Sequence, residues 1–162
     1  MAPVHPDILA ALTTGIQSEV AAYVFYREVL KRFDDDQLRE TLEQLAIEEK
    51  KHFQYLEKQY DSLVRSEKWI STSDVLKQNG LPEINEDMTG EHKDIIKQVE
   101  NASGVREILD MAYDLEAAAR DLYRGAAEQS DSHEAKDVFE YLARFEEGHM
   151  RLINAMLDKL DD

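Results

Sequence analysis

Apolar positions along the chain fall on four long seams whose steps are mostly three or four residues. The first runs Leu9, Leu12, Ile16, Glu19, Tyr23, Tyr26, Leu30, Phe33, and the second Leu38, Leu42, Leu45, Glu49, His52, Leu56, Gln59, Leu63. The third is Leu109, Ala112, Glu116, Ala119, Tyr123, Ala126, and the fourth Ala135, Phe139, Leu142, Glu146, His149, Ile153, Met156, Leu160. Such steps place each set on one face of an α-helix. The pattern predicts helices over about 6–33, 35–65, 103–129 and 132–160. Near its middle, each seam that should be apolar carries Glu, or Glu with His.

Punctuation supports these limits. Pro6 suits a first helical turn, where a missing N–H costs nothing. Asp34 or Asp35 is placed to cap the second helix, Asn101 or Ser103 the third, and Asp131, with Glu134 three residues on, the fourth. Lys159 complements the last C-terminus, whereas Asp161 and Asp162 oppose it, so the tail is expected to fray. Short turns make the first and second helices, and the third and fourth, antiparallel hairpins. The stretch 66–102 is irregular and broken by Gly80-Leu81-Pro82 and Gly90. It reads as a crossover with one short helix after Ser73 and another from Glu91 to about Glu100, packed onto the bundle through Trp69. The expected fold is all-α: one domain over 1–162, a four-helix bundle with a long crossover between helices 2 and 3.

The polar interruptions repeat. Glu19, Glu49 and His52 recur at an offset of 97 as Glu116, Glu146 and His149. Each Glu-x-x-His puts its two side chains on one helix face, about 4.5 Å apart along the axis. The same offset relates Ala22 to Ala119, Tyr26 to Tyr123, Arg27 to Arg124, Leu45 to Leu142 and Ala46 to Ala143. Two copies make a duplicated hairpin, not a solenoid. In so acidic a chain a Glu three residues before a His is a common accident. Its recurrence on matching seams, with a further Glu thirty residues upstream each time, is not.

Four glutamates in a core layer would repel one another and resist desolvation, each buried ion costing several kcal/mol. Two divalent cations neutralise four carboxylates. Carboxylate and imidazole without thiolate suit iron or manganese and tolerate zinc. Geometry places Glu49 and Glu146 as bridging ligands, Glu19 and Glu116 as terminal ones, and His52 and His149 on one metal each. Glu48 and Glu147 point about 100° away and are expected on a solvated face. Arg27 and Arg124 could neutralise site carboxylates or make ordinary surface pairs, and His5, His92 and His133 are expected at the surface.

Composition narrows the partners. A formal charge of −16 over 162 residues disfavours nucleic acid and anionic membranes. No cysteine is present, which excludes disulfides, iron–sulfur clusters and thiolate-bound metals. No unbroken apolar run of membrane-spanning length is read, nor a signal peptide at the N-terminus, so a cytoplasmic protein is expected.

The constellation resembles the ferritin-like superfamily, and within it the di-iron domain of the rubrerythrins. The resemblance spans all four helices. It rests on Glu19 with Tyr26, Leu45-Ala46 with Glu49 and His52, Glu116 with Tyr123, and Leu142-Ala143 with Glu146 and His149. It implies two iron ions held by those six Glu and His residues, with Tyr26 and Tyr123 supporting catalysis by hydrogen-bonding site carboxylates. It also implies reduction of hydrogen peroxide or dioxygen. Two features depart from the rubrerythrin pattern. The four cysteines of a rubredoxin-like domain are missing, so electrons are expected from a separate donor protein. The further ligand Glu one turn after the third-helix Glu is replaced by Ala119. The six-ligand set is similar to that of bacterioferritin, and a homodimer is expected. The alternative functions are ferroxidation for iron storage or delivery, and a bundle that uses metal only as a staple.

Overall fold

The structure is a computed structural model and describes residues 6–66, 69 and 92–161. Five helices are present among them: α1 (Pro6–Arg32), α2 (Asp36–Ser66), α3 (Lys93–Glu100), α4 (Val105–Gln129) and α5 (His133–Leu160). α1 packs along α2 and α4 along α5, and the two hairpins join chiefly through α1 against α4. The result is a ferritin-like four-helix bundle. α2 and α5 approach each other only sparingly. α3 belongs to the crossover and lies against α1, where Ile96 packs on Val20, Val24 and Phe53 and Arg32 pairs with Glu100 at 2.8 Å. The short helix expected after Ser73, and His5, lie outside the described residues.

Helix ends differ from the sequence expectation by a residue or two. Asp35 caps α2, its Oδ1 accepting from Leu38 N at 2.9 Å. Ser132, not Asp131, caps α5 through Ala135 N. Neither Asn101 nor Ser103 caps α4. Its N-cap is Gly104, and Ser103 instead donates from its backbone N and its hydroxyl to Glu107 at 2.9 and 2.6 Å. Arg39 closes α1 by donating to the carbonyls of Leu30 and Phe33, which satisfies carbonyls left over at a helix end. Asp161, expected to fray, pairs with Arg106.

The polar layer divides the apolar core in two. On one side Phe25, Tyr26 and Val29 of α1 pack with Leu38, Leu42 and Leu45 of α2, Ile108 and Ala112 of α4 and Ile153 of α5. On the other, Leu12 packs with Tyr55, Leu56 and Leu63, Tyr123 and Ala127, and Phe139 and Leu142. Trp69 meets Phe139 edge to face at 6.4 Å, the packing expected of it. Asp7–Arg32 has the length and apolar composition of a membrane-crossing helix, which the reading of the sequence had not recognised. In this fold its inner face packs against α2 and α4 and carries Glu19.

Candidate metal centre

The layer between the two cores is built from Glu19 of α1, Glu49 and His52 of α2, Glu116 of α4, and Glu146 and His149 of α5. None of the six exposes more than 3% of its surface. The helical period aims Glu49 and His52, and likewise Glu146 and His149, across the bundle axis. Two overlapping groups result: Glu19, Glu49, His52 and Glu146, and Glu49, Glu116, Glu146 and His149. In each group one ligand atom per residue lies within 4.8 Å of the others. Glu49 and Glu146 belong to both. His149 Nδ1 lies 2.9 Å from Glu49, 3.3 Å from Glu116 and 3.4 Å from Glu146. His52 Nδ1 lies 3.4 Å from Glu146 and 3.6 Å from Glu19. The two imidazoles stack with centroids 5.8 Å apart.

Charge divides unequally among these groups. Burial and the neighbouring carboxylates push Glu49 and Glu146 well above the usual carboxyl range. Burial opposes ionisation of Glu19 too, but the neighbouring Glu49 carboxyl and the field of His52 hold it down at about 2. Glu116 is likewise lowered against burial, by Glu146 and His149. His149 rises to about 12 despite burial, because the carboxylates of Glu116, Glu146 and Glu48 lie against it. The layer thus favours charge on the outer carboxylates and protons on the central pair.

The two tyrosines cross over. Tyr26, from the first hairpin, donates to Glu116 of the second at 2.5 Å. Tyr123, from the second, donates to Glu19 of the first at 2.6 Å. Burial, and then the charges of those carboxylates, raise both phenols well above their ordinary value, so both remain donors. Gly15 makes room for Tyr123: a Cβ there would sit 3.0 Å from Tyr123 Cε1 and 3.3 Å from Leu56 Cδ1. Tyr23 is only partly buried and packs against the first core.

One sequence expectation is overturned. Glu48 does not lie on a solvated face: its Oε2 is 2.6 Å from His149 Nε2. The sparse α2–α5 contact leaves it space to reach across, and the hydrogen bond to His149 holds Glu48 at about 2 against partial burial. Glu147 does stay outside and pairs with Arg124, while Arg27 is exposed, so neither arginine is recorded pairing with a centre carboxylate. His133 is exposed and faces Asp137 at 3.6 Å; His92 is partly buried. Two surface clefts lead to the histidines. One of about 380 Å³ is lined by Glu48, Phe145, Gly148 and His149. Another of about 250 Å³ is lined by Lys51, His52, Tyr55 and Phe145.

The donor set suits cations. Glu19 Oε2, Glu49 Oε1, both oxygens of Glu146 and both ring nitrogens of His52 are buried without a hydrogen-bond partner. Orphaned polar atoms of this kind cost free energy unless something binds them. All six lie in this layer, and carboxylate with imidazole matches iron, manganese or zinc.

Comparison with known proteins agrees. The family model described as Rubrerythrin matches residues 10–102 and 107–162. A hypothetical protein from Pyrococcus furiosus, 24% identical, has a similar fold: the TM-score is 0.65 over 93% of this chain and 88% of that one. No curated protein matches the chain.

Proposed function

Because the chain belongs to the rubrerythrin family, we propose that its polar layer holds two iron ions and reduces hydrogen peroxide or dioxygen. The observation that carries this reading is the set of six orphaned donor atoms, all in one dry layer and all of types that bind such metals. In this reading Glu49 and Glu146 would be shared by the two ions, Glu19 and His52 would help hold one, and Glu116 and His149 the other. Manganese or zinc would fit the same donors.

Bound ferrous iron supplies the reducing electrons. The protein supplies the rest. Tyr26 and Tyr123 hold the outer carboxylates in fixed orientations, each gripping the opposite hairpin. The apolar cores on either side keep bulk water from the layer. The clefts beside His149 and His52 admit a small oxidant. Electrons come from a donor outside these residues, which contain no cysteine to hold an iron–sulfur centre. The working protein is a homodimer of the cytoplasm.

One observation favours a second reading. Ala119 stands where the rubrerythrin pattern has its further ligand, and it is buried among apolar residues. That leaves a symmetrical six-residue set, as expected of a ferroxidase that serves iron storage or delivery.

Anaerobic loading with Fe(II), then challenge with peroxide or oxygen followed in the near-ultraviolet, separates the two. Rapid oxidation by peroxide, reversed by a reductant and confined to two irons per chain, supports the oxidoreductase. Ferric iron accumulating well beyond two per chain supports iron handling. Glu49→Ala and Glu146→Ala should each lose two-metal binding, and full loading of either variant contradicts the bridging roles.

A further inference from the structure

The six donor positions obey the offset of 97, but the position just before each central glutamate does not. Glu48 in the first hairpin corresponds to Phe145 in the second. Each faces the histidine of the other hairpin. Glu48 Oε2 lies 2.6 Å from Nε2 of His149. The Phe145 ring stands nearly perpendicular to His52, with centroids 4.8 Å apart. The two imidazoles therefore differ on the side away from the centre. His149 turns Nδ1 to Glu49, Glu116 and Glu146, and a carboxylate holds its Nε2 from behind. His52 turns Nδ1 to Glu19 and Glu146, and its Nε2 is buried without a hydrogen-bond partner.

We propose that this break in the repeat makes the two metal positions unequal: the one at Glu116 and His149 is tighter and fills first, and Glu48 is the positioning residue responsible. The inference rests on the two-metal reading above. A carboxylate that accepts Nε2–H fixes the tautomer with its lone pair on Nδ1. It also locks the ring's orientation and makes the imidazole a more basic ligand. Such partners are worth about 10–100-fold in metal affinity. Phe145 offers His52 no acceptor. The position at Glu19 and His52 must bind its cation while an N–H beside it stays desolvated and unpaired.

The test uses the full chain, stripped by chelation and titrated with Co(II) in a calorimeter. The parent should show two steps whose dissociation constants differ by about 10–100-fold. Glu48→Ala should weaken the first step by that factor and leave the second unchanged. Glu48→Gln, which keeps an acceptor without charge, should fall between. Phe145→Glu should tighten the second step, because it gives His52 the missing carboxylate. In proton spectra of the two-cobalt protein, Glu48→Gln should move one of the two hyperfine-shifted imidazole N–H signals and spare the other, which a merely structural role would not do. Two equal steps in the parent, or a Glu48→Ala protein of unchanged helicity with both steps intact, overturn the inference alone. A parent that binds no cobalt overturns the two-metal reading along with it. Should Glu48→Ala fail to fold, the parent isotherm and the Glu48→Gln spectrum decide.

Discussion

Stripping the metal should make stability fall steeply as pH rises, with a slope fixed by counting protons. Glu49 and Glu146 are raised well above 4.5 in the folded, metal-free chain by burial and by neighbouring carboxylates. The unfolded chain releases both protons near the ordinary value; the folded chain keeps them. For acids raised in this way, the stabilising contribution is complete below the unfolded pKa and is lost as pH climbs towards the folded one. Each retained proton tilts stability by about 1.4 kcal/mol per pH unit, so two give about 2.7. In the window above about pH 5 where both protons are kept, each pH unit removes that amount, a large share of the 5–15 kcal/mol typical of a domain. Glu19 and Glu48, held at about 2, have the opposite sign: their contribution is present above 4.5 and lost only as pH falls towards 2. They add no slope in this window. His149, at about 12, retains a third proton above its ordinary 6.5 and steepens the decline there. Bound cations displace the two carboxyl protons and remove the slope. The assay is urea denaturation in chelator at several pH values, repeated with the Glu49→Gln/Glu146→Gln double variant, whose amides imitate protonated carboxyls and should flatten the curve. A metal-free parent that is flat over this window, or a double variant as steep as the parent, would refute the reasoning.

Two further substitutions probe the supports of the layer. Tyr26→Phe and Tyr123→Phe each remove a hydrogen bond to a buried, charged carboxylate and should cost about 1.5–3 kcal/mol in metal-free denaturation; a loss below about 0.5 would mean the outer carboxylates are not held this way. Gly15→Ala sets helix propensity against packing: the methyl gains about 1 kcal/mol in the helix but meets Tyr123 and Leu56 at 3.0–3.3 Å, and overpacking costs about 1–3. The balance should lower the melting temperature, and a more stable alanine variant would show that Tyr123 can yield without loss.

The features legible in the sequence are those set by helical period. A ligand pair three residues apart on a seam of leucines must face the same way as the leucines, so Glu49 with His52 and Glu146 with His149 could be placed in the core before any fold was known. What period cannot supply is the relation between helices. Glu48 is one residue and about 100° from Glu49, which on a helical wheel means outward. It reaches His149 only because α2 and α5 stand apart, a property of tertiary packing. The offset of 97 showed that Tyr26 and Tyr123 are equivalent, but not that each binds the opposite hairpin's carboxylate. The caps were only partly placed, for a different reason: Asp35 was one of two candidates for α2, but Asp131 was expected where Ser132 caps α5. Runs such as Asp34-Asp35-Asp36 and Asp131-Ser132 offer adjacent acceptors of nearly equal merit, so local chemistry leaves the choice of first turn open.

Neither hairpin contains a complete site. The central carboxylates come one from each hairpin, yet both belong to both donor groups. Each tyrosine and each residue at positions 48 and 145 acts on its opposite number. The hairpins' backbones approach most closely between α1 and α4; on the far side, α2 and α5 stand further apart and meet through side chains, Tyr55 with Tyr141 and His52 with Phe145 among them. There the polar layer is one of the connections, beside the packing of Tyr55 and Leu56 on Phe139 and Leu142. It is a costly one as it stands, with raised central carboxyls and orphaned oxygens, and cations held by the same groups would strengthen it. Duplication explains why the ligands come in matched sets. The sparse α2–α5 seam explains why the match could be broken at Glu48 and Phe145: a side chain there is free to change without disturbing a tightly packed core, and whatever it becomes is presented directly to a ligand imidazole.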